Sequence, residues 1–261
     1  MVQKDPATLI PITFPLVRPG QNLNDIVARA IERQNLHLKR GDVLALASKV
    51  VSLCERRVMR LSDVQVSARA RRLAKRWSVD ERLSSIVLDE ADSVLGGVRG
   101  FLLTIKNGIL TSNAGVDLKN SPPGTATLWP KNPDNSARGL RRFLKRKYRA
   151  DLGVEIVDSR VTPLRLGTIG LAIGISGFRP VLDERRKADL YGRKVRVTQT
   201  DIADDLAASA HMLMGETSEQ IGAVIIRNTW PQLAEKFNSR HVRLNQAKCL
   251  ISSNLRDTMT R

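Results

Sequence analysis

FLLTIKNGILTSNAGVDLKN, Phe101 to Asn120, is the stretch that decides how this chain is read. The apolar run Phe101 to Ile105, resumed at Ile109 and Leu110, brackets Asn107 and Gly108. Asn-Gly between apolar residues is a strong signal for a tight β-hairpin. The second strand of that hairpin delivers a polar loop carrying Asn113, Gly115, Asp117 and Asn120. A glycine lets the backbone approach a ligand closely, and a carboxylate two residues later holds a hard cation without first being neutralised. A later strand, Gly153 to Val157, reads as ending in Asp158 and Ser159, a second carboxylate and a hydroxyl. The expectation is that the two strand ends meet around a metal ion and a phosphate.

Working outward, Leu9 to Val17 reads as a strand interrupted by prolines. Ile26, Val27, Ala30 and Ile31 then recur at helical spacing, with Asn22 or Asn24 available as the N-cap. Val43 to Ala47 is a short, continuously apolar run that suits a buried strand, with Ser48 and Lys49 at its end. Ile86, Val87, Ala91, Val94 and Leu95 predict a helix stopped by Gly96 and Gly97. Asp134, Asn135 or Ser136 is expected to cap the helix containing Leu140, Phe143 and Leu144. Ala223 to Ile226 is a further apolar strand, and the tail from Asn228 to Arg261 has helix-like spacing at Leu233 and Phe237, leaving open whether it packs on the body or hangs free. Strands and helices alternate irregularly and a hairpin is present, so the pattern favours α+β over a doubly wound parallel sheet.

Composition narrows the function. A formal charge of +17 over 261 residues sets up a positive field that attracts phosphates, nucleic acid or acidic membranes without choosing among them. Aromatic residues, among them Trp77, Trp129 and Trp230, are too few to build the stacking platforms of single-strand binders. Cys54 and Cys249 are too few for a disulfide framework or a zinc site, which suits a reduced, intracellular setting. The N-terminus, cut by Pro6, Pro11 and Pro15, lacks a signal-peptide pattern, and no apolar run approaches the ~20 residues of a membrane span. A cytoplasmic protein is expected.

Motif by motif, the signals are uneven. Neither GxxxxGK[ST] nor a GxGxxG following a strand occurs. His37, His211 and His241 lack metal spacing and read as surface or packing residues. Gly167, Gly170, Gly174 and Gly177 read as close-packing positions, and the run of Arg69, Arg71, Arg72, Lys75 and Arg76 as a solvated helical face. Taken singly, Asp117 reads as a turn cap, Lys49 as a solvated strand-end charge and Glu216 as a loop charge.

Three segments carry more. NAGVDLKN at Asn113 to Asn120, GDVLALASKVVS at Gly41 to Ser52 and DLYGRKVRVTQTDIADDLAASAHMLMGE at Asp189 to Glu216 resemble the coenzyme F420:L-glutamate ligase family, in family order and with compatible spacing from about Pro15 to Arg227. The resemblance implies a gamma-glutamyl-ligase-like fold of mixed sheets with hairpins and flanking helices over residues 1–227; residues 228–261 lie outside it and are expected, from their spacing, to form a helical C-terminal extension. It implies a GTP-dependent, amide-forming ligase that adds L-glutamate to a carboxylate of the deazaflavin coenzyme precursor through an acyl phosphate, with Mg²⁺ or Mn²⁺. Carried over by position, Asp117 and Asp158 would hold one divalent ion, and Ser159, where the family has Thr, would serve the second with Glu216. Asp117, Asp158 and Arg165 would be the catalytic residues. Pro15, Leu16, Val17, Arg18, Ser48, Lys49 and Asn120 fall where the family contacts GTP, and Met214, Gly215 and Glu216 begin the loop that completes that pocket. A homodimer is also implied.

The departures are local. The family's TFGRPWRNGQT-like stretch is replaced here by Ser159, Arg160, Val161, Thr162, Pro163, Leu164, Arg165, Leu166, Gly167 and Thr168, which keeps Pro163, Arg165 and Gly167 but loses the aromatics and the glutamine. Leu53 stands where a lysine of the nucleotide site is common, and leucine offers phosphate no donor. Two other readings therefore stand beside the first: a divergent paralogue acting on a different acidic or phosphorylated acceptor, and a non-enzymatic basic protein that binds nucleic acid. The scarcity of aromatics and the retained carboxylate pair place the last of these third.

Overall fold

Val43–Ala47 is apolar at every position because both faces of its sheet are covered, Leu44 and Leu46 facing one core and Val43 and Ala45 the other. The computed structural model describes residues 5–229 and 232–253. In order, the chain forms β1 (Thr8–Thr13), α1 (Leu23–Arg33), β2 (Val43–Ala47), α2 (Ser48–Cys54), β3 (Val58–Arg60), α3 (Ala68–Trp77), α4 (Glu81–Glu90), β4 (Ser93–Val98), β5 (Phe101–Lys106) and β6 (Ile109–Ser112). There follow β7 (Thr125–Thr127), α5 (Pro133–Tyr148), β8 (Gly153–Val161), β9 (Thr168–Ser176), β10 (Val181–Asp183), β11 (Gln199–Asp201), α6 (Ile202–Met214) and β12 (Ile221–Arg227). This is the mixed α+β architecture the sequence predicts.

The main sheet has the order β1-β12-β2-β8-β9, antiparallel except for the parallel pair β2 and β8. On one face, Ile12, Leu44, Val154, Ile156 and Ile225 pack against Val27 and Ile31 of α1 and Leu140 and Leu144 of α5. On the other, Val224, Ile226 and Ala172 meet Ala203, Ala207 and Ala210 of α6. Each fully buried aliphatic side chain stabilises by about 1.5–3 kcal/mol, which is what fixes the register of these strands. Strand β9 accepts helices on both faces because it carries glycine where they touch it. A Cβ on Gly170 would lie 2.2 Å from the Ala207 carbonyl oxygen, and one on Gly174 2.5 Å from Pro133, so close packing is their role.

A smaller lobe holds the sheet β4-β5-β6, the pair β3-β7 and helices α3 and α4 around Leu83, Ile86, Leu102, Val116 and Leu128. The Asn-Gly hairpin is present as read: Asn107 and Gly108 both adopt positive φ between β5 and β6. Helix α3 buries only Ala70 and Ala74, leaving its arginines on a solvated face.

Four local readings need correction. The helix expected to reach Leu95 stops at Glu90; Ala91 is extended, and Val94 and Leu95 belong to β4, which completes a third strand on the hairpin. Tertiary pairing overrides helical spacing there, with Asp92 N–H donating to the Ile105 carbonyl. Helix α5 is capped by Asn132, whose side chain accepts from Asn135 N–H at 3.0 Å, and not by Asp134, Asn135 or Ser136. Pro133 fits the first helical position, where a missing N–H costs nothing. Asp134 instead accepts from Ile175 N–H and from the Ser239 N–H and hydroxyl. Strand β8 does not end at Asp158 and Ser159 but runs on to Val161, because β9 pairs with it as far as Val161 opposite Thr168.

The fourth is in the tail. The stretch bearing Leu233 and Phe237 is irregular, with single 3-10 turns at Ser239–His241 and Gln246–Lys248; residues 250–253 are helical, and the remainder of the expected 228–261 extension, from 254 on, lies outside the described residues. The described part packs on the body: Ala234 N–H donates to the Gly177 carbonyl, Leu233 joins the α6 core, and Glu235 pairs with Arg141. No helix among the described residues is long and apolar enough to cross a membrane.

Candidate active site

Strands β2 and β8 run parallel with Ala47 opposite Val157, so their neighbouring C-terminal halves bring Ser48 and Asp158 together. The Ser48 hydroxyl donates to Asp158 Oδ1 at 3.0 Å, and the Trp129 indole N–H donates to Oδ2. The hairpin lobe presents Asp117 from the other side. Its backbone N–H and carbonyl both pair with Thr127, at 2.9 and 2.8 Å, which fixes the loop after Gly115 against β7. These pieces border one cavity of about 700 Å³ between the main sheet and the smaller lobe.

Two ion pairs bridge that cavity. Lys49 Nζ reaches Asp117 Oδ2 at 2.5 Å and donates to the Lys119 carbonyl at 2.5 Å. Lys119 Nζ crosses to Glu216 Oε2 at 2.7 Å, while its backbone N–H donates to Asp117 Oδ1 at 2.8 Å. Glu216 Oε1 also accepts from the Thr168 hydroxyl at 2.8 Å and from His211 Nε2 at 2.9 Å. The Asn120 amide closes the rim by donating to the Thr217 carbonyl at 2.8 Å.

Charge is held unevenly. Burial pushes the Asp158 carboxyl above its ordinary value, and the bonds from Trp129, Ser48 and the Ser159 N–H offset only part of that. Burial acts the same way on Glu216, but there the bonds from Lys119, Thr168 and His211 win and bring it down to about 2. The Glu216 bond in turn raises Lys119 above its ordinary value. The cavity therefore presents fixed anions and fixed cations side by side, which suits a ligand carrying both a phosphate chain and its counter-ion.

Pro15, Leu16, Val17, Arg18, Ser48, Lys49, Asp117, Asn120, Asp158, Ser159, Met214, Gly215 and Glu216 all line this cavity, and so does Leu53. Arg165 does not. It sits on the exposed β8–β9 loop, where its backbone N–H donates to the Thr162 carbonyl, and the length of β8 carries that loop away. Lys119, Thr168, His211 and Trp129 were missed as site residues. Lys119 was visible inside NAGVDLKN, whereas His211 lies on the last turn of α6, five residues before the carboxylate it holds, with no motif to single it out.

Among the described residues no group of three His, Cys, Asp or Glu side chains forms a ready-made metal site. The oxygen donors of Asp117, Asp158, Ser159 and Glu216 nevertheless suit a hard cation. Mg²⁺ in particular takes one or two carboxylates and fills its remaining positions with water and substrate phosphates. Asp158 accepts from Ser48, Trp129 and the Ser159 N–H, three bonds over two oxygens that offer about four lone-pair sites, so acceptor capacity remains for a cation.

Residues 11–228 match the family described as F420-0:Gamma-glutamyl ligase. The chain is 39% identical over 242 residues to a protein of Methanopyrus kandleri named coenzyme F420:L-glutamate ligase, covering 92% of each chain. Proteins of the same name from Methanothermobacter thermautotrophicus and Archaeoglobus fulgidus are 33% and 36% identical, over 82% of this chain and 85% and 84% of theirs. The segments that shape the cavity, from Phe14 to Gly222, all fall inside the matched span, and the chain belongs to the F420-0:gamma-glutamyl ligase family.

Proposed function

We propose that this chain is an amide-forming ligase of coenzyme F420 biosynthesis, using GTP and Mg²⁺ or Mn²⁺ to add L-glutamate to a carboxylate of the deazaflavin precursor. The observation that carries the reading is the single cavity in which Asp117, Asp158 and Glu216 face Lys49 and Lys119. The precursor's carboxylate oxygen attacks the γ-phosphorus of GTP, GDP leaves, and the acyl phosphate forms. The glutamate nitrogen then attacks the acyl carbon, inorganic phosphate departs with the electron pair, and the nitrogen gives up a proton. Asp117 and Asp158, with Ser159 and Glu216, would hold the divalent ions that neutralise the phosphates. Lys49 and Lys119 supply fixed positive charge beside the transferred group, where little covalent help is needed and positioning with electrostatics dominates.

The test incubates the full chain with GTP, Mg²⁺, L-glutamate and the precursor and reads the glutamylated product by mass. The expected result is product formation that stops without the divalent ion, together with loss of metal-dependent GTP binding in Asp117→Ala. Undiminished binding in that variant would remove the reading. A second acceptor remains in view because residues 159–168 differ from the family pattern, so other acidic acceptors belong in the same assay. A homodimer working in the cytoplasm completes the proposal. Leu164, Leu166 and Leu190 are fully exposed and Tyr191 and Val197 nearly so, on the β8–β9 loop and the arm between β10 and β11, which is apolar surface a second copy would cover.

A further inference from the structure

Trp129 is 2% exposed, yet its indole N–H points at the carboxylate proposed to bind metal. Three contacts hold the ring and its backbone. Arg57 Nε donates to the Trp129 carbonyl at 2.9 Å, and Lys106 Nζ lies 5.8 Å from the ring centre, both cations being held in turn by Glu90. The third is Gly115, where a Cβ would fall 2.1 Å from Nε1, so the absence of a side chain in the NAGVD loop is what makes room for the ring. Two residues earlier, Thr127 exchanges both backbone bonds with Asp117. One short segment, residues 127–129, therefore grips the backbone of one site carboxylate and the side chain of the other.

We infer that Trp129 is a positioning residue, its N–H fixing the Asp158 carboxylate at a set distance and angle from Asp117, so that the pair is pre-arranged for a divalent ion and the phosphates it carries. The inference deepens the ligase reading and rests on it. An N–H bond occupies one of an oxygen's two lone pairs and leaves acceptor capacity for a cation while restricting rotation of the carboxylate. Groups that orient a metal-binding carboxylate affect metal affinity by about 10–100-fold when removed, without touching the reactants.

The test uses the full chain with ¹⁵N-labelled tryptophan indoles and titrates Mg²⁺ in the presence of GTP. The Trp129 indole resonance, assigned by its disappearance in Trp129→Phe, should lie downfield of an exposed indole and shift along the same curve as Mg²⁺ binding seen by calorimetry. In Trp129→Phe the Mg²⁺ concentration for half-saturation should rise on the order of tenfold, while kcat at saturating Mg²⁺ stays within about twofold of the parent. An unchanged half-saturation in a folded Trp129→Phe reduces the residue to packing and overturns the inference. Should that variant not fold, Asp158→Asn assigns the resonance by its displacement, and a parent indole signal that ignores bound Mg²⁺ overturns the inference alone. A parent chain that binds no Mg²⁺ with GTP overturns the ligase reading and this inference together.

Discussion

Lys49 Nζ stands 2.5 Å from Asp117 Oδ2 and equally close to the Lys119 carbonyl, so one ammonium both neutralises the site carboxylate and clasps the loop that carries it. The pair is partly open to solvent and contributes little to folding, within about 1 kcal/mol. Under the proposed function its value would lie in exchange: a divalent ion held by Asp117 would free the ammonium for phosphate. Lys49→Met should leave stability almost unchanged and weaken nucleotide binding by about tenfold or more, the loss of a charge-assisted bond. Binding of Mg²⁺ alone should hold or tighten. Separate calorimetric titrations check this, and unaltered nucleotide affinity would refute it.

Glu216 has a folded-state value of about 2 against an ordinary 4.5, burial being outweighed by the bonds from Lys119, Thr168 and His211. Between those two values the unfolded chain binds more protons at this residue than the folded one, so stability rises with pH across that window. The contribution is present above about pH 4.5 and fades as pH falls toward 2. Glu216→Gln has no such dependence. The gap in melting temperature between parent and variant should shrink steadily from about pH 5 to pH 3, and a gap that widens on acidification would contradict the assignment.

The same features show what sequence could and could not reveal. The hairpin at Asn107 and Gly108, the buried strand Val43–Ala47 and the α+β class follow from local signals, because turn chemistry and apolar runs are properties of neighbouring residues. The NAGVD loop and Asp158 were legible as neighbours because each follows an apolar run read as a strand and carries a carboxylate. The extent of β8 was not legible: Arg160 and Val161 are strand residues because β9 lies beside them, a partner that local spacing does not disclose. Nor was Val94, which completes helical spacing but is claimed by Thr104 across the sheet. His211 reads as a surface or packing residue, and nothing local singles out Trp129, because the contacts they make, with Glu216 and Asp158, lie across the fold.

Arg141 is 4% exposed and ties three segments together. Its Nε donates to the Leu152 carbonyl at 2.6 Å, and its terminal nitrogens reach Asp151 at 2.8 Å and Glu235 of the tail at 2.7 Å. Arg141→Met strands the buried Leu152 carbonyl, while Asp151 is partly exposed and keeps Lys145, so the cost should be about 2 kcal/mol, mostly from the unpaired carbonyl. Glu235 is largely in solvent, so Glu235→Gln should cost under about 1 kcal/mol. Urea unfolding at equal m-values measures both, and similar losses in the two variants would show that the tail, not the buried arginine, dominates.

Gly115 is where local conformation and the site converge. Its φ of +68° favours glycine, and the space where a Cβ would stand is taken by the Trp129 indole, with Nε1 at 2.1 Å and Cε2 at 2.2 Å. Neither obstacle yields easily: the ring is held by Gly115 itself, by the Asp158 bond and by the Arg57 contact, and Ala114 beside it already has a positive φ. Gly115→Ala therefore combines a left-handed backbone penalty of about 1 kcal/mol with overpacking of about 1–3 kcal/mol. The expected total is roughly 2–4 kcal/mol, read by chemical denaturation. Because the displaced atom is the one that donates to Asp158, the Mg²⁺ half-saturation should rise in the same variant. Gly124→Ala serves as the control, since its φ is also positive but no atom lies within 4 Å of the added Cβ. It should lose only the backbone share and leave Mg²⁺ binding alone. Equal losses of metal affinity in the two variants would mean that loop strain, and not the displaced indole, governs the site.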